Sequence, residues 1–551
     1  MTKCSKLQIH FKTCIWVLYV TSNIMLLSCS AERYNSRSDF IGVVSSATPE
    51  ASVAGKQILL QGGNAVDAAV AVSFALAVTE SPMSGLGGGT QVLLSIENGL
   101  PISINGSTLS PSSTPNNVDD TLTYHRRSTI PSTVKVLEFI WRNYGSGNVA
   151  WEDLLAPAID LAENGYVLGA FRAKVYQKYS LELKKSRFNT HLFFNINGEI
   201  PEEGDTIVQK LLAKTLKRIA KHGASDFYSG KIARQISQDM KQHNGWITLE
   251  DLKNFPEPSV LSPLQSNIGD YLIYTQPPPC GGWVMLLASN ILSQTKIDEK
   301  SAEDIIEALY LAHNDRDNKP VKDLINYEED VHVKLSKEYA KNLKISKKES
   351  FEVNEKDTGE TTHFSIVDSK GSVIAVTSSI NAYFGAMAAS DSLGFLYNTY
   401  MDDFVFNNPT HPFAIQPNSL AYSSMTPTIV QQNGQNVLVL GSPGSSRIIS
   451  SVAQIIAKWI QQGNIQNCVS EPRIHVSKNN IYMENIVDTI SVNKDFLKQY
   501  ELQFRLPNKD LINENNLNPY FGGIHAIAKE DGNWQGVADP RRDGESINVK
   551  K

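Results

Sequence analysis

Thr361-Thr362-His363-Phe364-Ser365-Ile366-Val367-Asp368-Ser369-Lys370-Gly371-Ser372-Val373-Ile374-Ala375-Val376-Thr377-Ser378-Ser379-Ile380-Asn381 decides the fold. His363 to Val367 reads as a short strand, Asp368 to Gly371 as a turn, and Ser372 to Ser379 as a second strand rich in β-branched residues. Thr377, Ser379 and Asn381 recur at every second position. A strand that continues through Asn381 places all three on one face. Ser/Thr hydrogen bonds across strands are the ordinary use of such a face. A nucleophile's surroundings are the other use.

The chemical question is what Thr361 does at the head of this strand. A threonine hydroxyl attacks a carbonyl poorly unless a base takes its proton. If the Glu360–Thr361 bond is cut, Thr361 gains an α-amine whose reference pKa is about 7.7–8.0. That amine lies within reach of its own hydroxyl and can serve as the general base. The same hydroxyl can first attack the carbonyl before it and cut the chain. The segment leading in, Asp315 to Thr358, is rich in Lys, Asp and Glu and poor in aromatics, so it reads as solvated helix and loop ending in an exposed linker.

Further along, Met401-Asp402-Asp403-Phe404 sets a carboxylate pair in a loop, suited to a substrate ammonium group or, alternatively, to an Asx turn. Val437 to Leu440 is a third strand that meets Gly441-Ser442-Pro443-Gly444-Ser445-Ser446-Arg447. A helix follows, with Ile448, Ile449, Val452, Ile455, Ile456, Trp459 and Ile460 at helical spacing. Backbone N–H groups at that junction suit an oxyanion. Neither a phosphate-loop signature nor a Gly-x-Ser-x-Gly elbow is present there.

Working back toward the start, Asn64 to Val78 is an Ala/Val-rich helix with Asn64 at the cap, small enough on every side to be buried. Ser84-Gly85-Leu86-Gly87-Gly88-Gly89-Thr90 then leads into a strand from Gln91 to Ile96. The order helix, glycines, strand is the reverse of a nucleotide site, so the loop reads as close backbone packing. Helices are expected at Trp151 to Asn164 and Val208 to His222. Strand hairpins with helices on their faces argue a layered α/β sandwich.

The chain has 551 residues, 41% hydrophobic and 20% charged, which is globular composition. A net charge of −6 without a basic stripe gives no footprint for nucleic acid. Residues 1–28 read as an export signal, with Lys3, Lys6 and Lys12 ahead of an apolar run from Cys14 to Ser28. Leu26-Leu27-Ser28-Cys29 resembles a bacterial lipobox, with Cys29 as the lipidated residue; the rival reading is plain signal cleavage with Cys29 incidental. Residues 29–45 read as a polar tether. An exported chain suits an oxidising compartment, yet Cys280 and Cys468 alone do not define a disulfide. No zinc motif occurs.

Taken together, these stretches resemble the γ-glutamyltransferase (glutathione hydrolase proenzyme) family of N-terminal-nucleophile hydrolases. The resemblance is carried by GGNAVDAAVAVSFALAVTESPMSGLGGG at 62–89, TTHFSIVDSKGSVIAVTSSIN at 361–381, MDDF at 401–404, SSMTPT at 423–428, GSPGSSRI at 441–448 and ADPRRDG at 538–544. It implies an αββα four-layer sandwich that cuts itself between Glu360 and Thr361 into a large subunit, 46–360, and a small subunit, 361–551. Thr361 is then the nucleophile, with Ser379 hydrogen-bonded to it and the Gly444–Ser445 backbone as the oxyanion site. Asn381 and Asp403 would hold the α-amino group of a glutamate, and Ser423 and Ser424 its α-carboxylate.

Three departures accompany the resemblance. The family's carboxylate-binding Arg corresponds to Asn105, which exchanges a bidentate charged contact for a neutral amide at a cost on the order of 2 kcal/mol. Tyr400 stands where Gln or Glu is usual. The stretch from Phe404 to Ser423 is short, which implies a truncated or missing lid. Arg126 and Arg127 are open candidates to replace the lost Arg.

The expected function is an exported, self-processing γ-glutamyl amide hydrolase or transferase acting on glutathione or related compounds through an acyl-Thr361 intermediate. No cofactor or metal is called for. Its expected partners are a small γ-glutamyl substrate, a water or amine acceptor, and its own two subunits, with membrane contact only through a lipid on Cys29. The expected location is the periplasm or outer membrane of a bacterium. The alternatives are an acylase or polyglutamate-processing enzyme of the same fold, or a catalytically silent γ-glutamyl-binding lipoprotein.

Overall fold

The β-branched and small residues of the 361–381 stretch form two long, fully paired strands at the centre of a sheet. The computed structural model describes residues 39–551 apart from 116–117, 119–120, 187–189, 196, 295–300, 344–358, 407 and 485–491. The signal reading at 1–28, Cys29 and the tether as far as 38 lie outside the described residues, as does the end of the charged linker. The main body comprises residues 42–549; of the described residues, 39–41 group with 550–551, and there Lys551 N–H donates to the Asp39 carbonyl.

In chain order the strands of the two large sheets are β1 (Phe40–Ser46), β2 (Gly89–Ser95), β3 (Ile102–Asn105), β4 (Ser259–Leu261), β5 (Leu264–Ile268), β6 (Tyr271–Thr275), β7 (Gly359–Asp368), β8 (Val373–Ala382), β9 (Thr428–Gln432), β10 (Gln435–Gly441), β11 (His525–Glu530), β12 (Asn533–Ala538) and β13 (Glu545–Lys550). One sheet has seven strands in the order β13-β1-β7-β8-β2-β3-β4, the other six in the order β12-β11-β10-β9-β6-β5. The sheets pack face to face, β7 and β8 against β9, β10 and β11. Helices α1 (Pro49–Leu60) and α2 (Ala65–Thr79) cover the outer side of the first, while α3 (Gly282–Leu292) and α5 (Arg447–Gln462) cover the second. Between them in sequence lies α4 (Ala302–Asn318), packed on α3. The expected four-layer αββα sandwich is therefore present. Because both faces of each sheet are covered, β8 is buried from Val373 through Ile380 rather than alternating.

All of α2 is buried, as its apolar circumference requires. Its start is fixed by a capping box: the Asn64 side chain accepts from the N–H groups of Val66 and Asp67, and the Asp67 carboxylate accepts from the Asn64 N–H. Trp151–Asn164 is a helix, and the other expected one runs Lys210–His222.

Three expectations are corrected. Phe40 to Ser45, placed in the tether, belongs to strand β1: its apolar run pairs with β7 (Gly42 opposite Asp368, Ser45 opposite Ser365) and is buried from Gly42. The charged segment after Asp315 is not all solvated. Lys334 Nζ reaches Asp315 Oδ2 at 2.8 Å, Tyr339 donates to Oδ1 at 2.7 Å, and both charges are buried. A buried ion pair held by further hydrogen bonds reads like surface charge in a sequence. The strand expected at His363–Val367 extends from Gly359, so the bond before Thr361 lies inside the sheet.

Glu80, at the end of α2, is buried and accepts from the Thr362 hydroxyl. Burial pushes its carboxyl up to about 7, against the opposing pull of Arg542 and Thr362. The folded chain thus binds this proton more tightly than the unfolded chain. The stabilisation is complete below about pH 4.5 and is lost as pH rises toward 7, by roughly 3 kcal/mol. In the uncut chain (Thr361→Ala), Glu80→Gln should remove this part of the decline in thermal stability between pH 4.5 and 7. Superimposable pH profiles for the two proteins would show that Glu80 does not carry it.

Candidate active site

Thr361 is placed by the register of β7 on β8. Ser378 opposes Thr362, and then a bulge intervenes before Asn381 opposes Glu360. The bulge sets Ser379 and Ile380 together opposite Thr361. Thr361 Oγ1 donates to Ser379 Oγ at 3.2 Å, Ser379 Oγ donates to the Glu360 carbonyl at 2.7 Å, and Asn381 N–H donates to Ser379 Oγ at 2.7 Å. One hydroxyl therefore touches both the Thr361 hydroxyl and the Glu360 carbonyl.

The glycine-rich loop holds the bulge from behind. A Cβ on Gly88 would lie 2.2 Å from the Ser379 carbonyl oxygen, and one on Gly87 2.1 Å from that of Leu396. Ile380 N–H donates to the Met83 carbonyl, and Thr399 N–H to that of Ile380. This is the close backbone packing expected of that loop.

The rest of the Thr-Thr-His motif anchors the strand. Thr362 is tied to Glu80. His363 meets Thr377 Oγ1 through Nδ1 at 2.9 Å and Ser365 Oγ through Nε2 at 3.1 Å. Burial, with His525 nearby, holds this imidazole far below its usual pKa and therefore neutral. Its ring occupies the space beside Gly441, where a Cβ would come within 2.4 Å. Thr377 thus orients His363 and does not contact Thr361.

Thr361 opens on a small cavity of about 40 Å³, lined by Ser379, Asn381, Tyr400, Asp403, Tyr422, Ser423, Ser424, Met425, Ser445 and Ile448. Of the residues expected at the site, all but Asn105, Glu360 and Gly444 line this cavity, and Gly444 precedes Ser445 in the loop that leads into α5. Gly444 (φ 117°) and Ser445 (φ 54°) both have positive φ. The left-handed region disfavours a side chain at Ser445, and the backbone is held there regardless. Burial raises the Tyr400 phenol, which keeps it protonated.

The acidic pair of the MDDF stretch divides. Asp403 faces the cavity, whereas Asp402 takes a bidentate contact from Arg127, Nε at 3.1 Å and Nη2 at 2.5 Å. Arg127 is committed to that pair, and Arg126 lies over Trp246 with its Nε on the Asn244 carbonyl. Asn105 is not on the cavity wall. It ends β3, and its Oδ1 accepts from Ser107 N–H at 3.0 Å. Among the described residues none between Phe404 and Ala421 lines the cavity. That stretch folds on itself, with Val405 N–H on the Phe413 carbonyl and Ile415 N–H on that of Val405.

The sequence reading missed several charged groups. Arg316, buried at the end of α4, donates to Ser424 Oγ at 3.0 Å and lies over the Tyr422 ring. It reaches the expected carboxylate pocket from a segment read as solvated. Glu360, named only as a cleavage position, sends its carboxylate to Arg542 (2.6 Å) and Arg447 (3.4 Å), all three nearly fully buried. The motif at 538–544 was the signal for Arg542. Away from this site, His125, Asp239 and His243 bring three potential metal-ligand atoms within 4.8 Å of one another. Asp239 is held there by His125 at 3.0 Å and the Tyr397 hydroxyl at 2.9 Å. Cys280 and Cys468 are buried, free thiols.

Residues 51–549 match the family model for gamma-glutamyltranspeptidase. The chain is 33% identical to the glutathione hydrolase proenzyme of Escherichia coli (strain K12), covering 79% of this chain and 80% of that protein. It is 31% identical to the glutathione hydrolase proenzyme of Bacillus subtilis (strain 168), over 92% and 91% of the two chains. Among solved structures, cephalosporin acylase from Bacillus halodurans superimposes with a TM-score of 0.78 at 24% identity, over 92% of this chain and 96% of that one, a likeness of fold. Matched over 51–549 by the family model and over most of their length by these relatives, this chain belongs to the gamma-glutamyltranspeptidase family of hydrolases.

Proposed function

We propose that the chain is an exported, self-processing γ-glutamyl amide hydrolase or transferase that works through an acyl-Thr361 intermediate. The observation that carries this is the Thr361–Ser379–Glu360 carbonyl contact, which aligns a hydroxyl with the carbonyl it is to attack. In the first reaction Thr361 Oγ1 adds to the Glu360 carbonyl carbon and the C–N bond breaks. The hydroxyl proton ends on the departing nitrogen. Water then hydrolyses the resulting ester, which leaves a Glu360 carboxylate and a free Thr361 amine and hydroxyl.

In turnover the amine takes the hydroxyl proton as Thr361 attacks the donor amide, and passes it to the leaving amine. The Gly444–Ser445 backbone N–H groups stabilise the oxyanion. Asp403 and Asn381 hold the donor's ammonium group, and Ser423 and Ser424 its carboxylate. Water or an acceptor amine releases the acyl group. Thr361→Ala should abolish both the cut and amine release, read by gel and by anilide assay; an active variant would end the assignment.

A second reading is an acylase for plain dicarboxylic side chains, which carry the same carboxylate and lack only the ammonium group assigned to Asp403 and Asn381. Amine release from a γ-glutamyl anilide and the matching glutaryl anilide separates the two. Preference for γ-glutamyl by about tenfold or more in kcat/KM is expected, the worth of one charge-assisted contact. Equal or reversed preference transfers the chain to the acylase reading.

Export and lipidation at Cys29 complete the proposal, supported by the leader's basic start, its apolar run and the lipobox. Mass spectrometry of the mature N-terminus should show a diacylglycerol adduct on Cys29, and an unmodified terminus would remove the anchor.

A further inference from the structure

Outside the Thr361 cavity, His125, Asp239 and His243 each bring one ligand-capable atom to within 4.8 Å of the other two. His125 comes from the 3₁₀ turn Tyr124–Arg127. Asp239 lies in the last turn of the helix Lys231–Gln242, and His243 caps that helix. These two are four positions apart, so they stand on the same side of the helix end. His243 Nε2 is 3.6 Å from Asp239 Oδ1, and His125 Nε2 meets the other oxygen, Oδ2, at 3.0 Å. His125 and Asp239 are 114 positions apart, so no motif spacing announces the group.

The cluster is held from outside. Tyr397 donates its hydroxyl to Asp239 Oδ2 at 2.9 Å. The Tyr397 and His243 rings lie against the His125 imidazole, with centroids at 5.4 and 4.8 Å. Outer partners of this kind orient metal ligands. His125 and Asp239 are buried and His243 is half-buried, and a cavity of about 470 Å³ reaches both histidines. That cavity supplies an entry path and room for a further ligand.

We propose that His125, Asp239 and His243 bind one divalent transition-metal ion of the zinc class, with its fourth position open to this cavity. Two imidazole nitrogens and a carboxylate suit zinc and its neighbours, whereas calcium and magnesium take oxygen ligands. Bonds of about 2.0–2.2 Å set neighbouring tetrahedral ligand atoms roughly 3.3 Å apart. The contacts at 3.0 and 3.6 Å bracket that spacing, and a swing of the half-buried His243 ring closes the remaining edge. The ion takes the place of the proton that His125 Nε2 donates to Asp239, and that proton leaves to solvent. Arg126 and Lys185 share the cavity wall, where they weaken the attraction for a bare cation and favour water or an anion as the fourth ligand. The ion would also fasten two segments that reach the Thr361 cavity. Arg127, in the same 3₁₀ turn as His125, holds Asp402, and Tyr397 lies three residues before Tyr400. The site itself does not depend on the role of Thr361.

The full-length protein, stripped of metal with a chelator, is titrated with Zn²⁺ by equilibrium dialysis. One ion per chain with a Kd of about 1 µM or tighter is expected. Mg²⁺ in about a thousandfold excess should leave that ion in place. His243→Gln and Asp239→Asn should each weaken binding by at least about tenfold, which is what loss of an outer partner costs and so a lower bound for a ligand. Wild-type protein that binds no stoichiometric Zn²⁺ overturns the site, and so does displacement by Mg²⁺. Unchanged affinity in His243→Gln also overturns it, because the ion then sits on other groups. If Asp239→Asn fails to fold, the variant at His243, half-buried at a helix end, decides alone.

Discussion

The Ser379 hydroxyl is the joint on which this active site turns. A hydroxyl has one proton to give and two lone pairs to receive with. Here the proton goes to the Glu360 carbonyl, and the Thr361 hydroxyl and the Asn381 N–H are received. A regular ladder would set Ser379 opposite Thr361 but Ile380, not Asn381, opposite Glu360. The bulge between Ser378 and Asn381 brings Asn381 there instead, and a bulge inside a covered sheet needs support. That support comes from Gly87 and Gly88, whose missing side chains let the backbone press against the carbonyl oxygens of Leu396 and Ser379.

This division explains what was legible in the sequence. The layered α/β class followed from strand periodicity and turn chemistry, and the buried α2 helix from its uniform small residues. The motif residues around Thr361 also converge on one cavity. Their partners were not legible, for physical reasons. Asp402 and Asp403 are identical neighbours in sequence, but the 3₁₀ turn at Tyr400–Asp403 sends one to Arg127 and the other to the cavity. Arg316 sits in a charged run, and only packing against Tyr422 and Ser424 distinguishes it from a solvated residue. Asn105, aligned by resemblance to a binding position, lies at a strand end with its amide turned to its own loop. Strand β1 was hidden because a few apolar residues beside a polar leader do not announce a sheet.

The buried charges share one arrangement. Glu80, Glu360, Arg447 and Arg542 cluster around the first residues of β7, and each carboxylate is engaged by a hydroxyl or a guanidinium. A second cluster, Arg473, Arg541, Asp539 and Glu484, fastens the C-terminal segment beside it, with Arg473–Asp539 at 2.6 Å and Arg541–Glu484 at 2.5 Å. The Asp539 carboxyl is drawn down to about 2 by these two arginines, despite burial. Such networks hold geometry more than they add stability. They fix the bond between Glu360 and Thr361 against a rigid background.

The unbroken strand β7 also sets a kinetic order. In the proposed self-cleavage, the attacking hydroxyl and the carbonyl it faces belong to one chain, separated by a single residue boundary and already within the reach of one serine. A reaction between such groups is unimolecular, with its encounter arranged during folding rather than by diffusion. Dilution does not slow it, crowding does not hasten it, and no second copy is needed to begin it. Each molecule carries its own clock, started when the sheet closes.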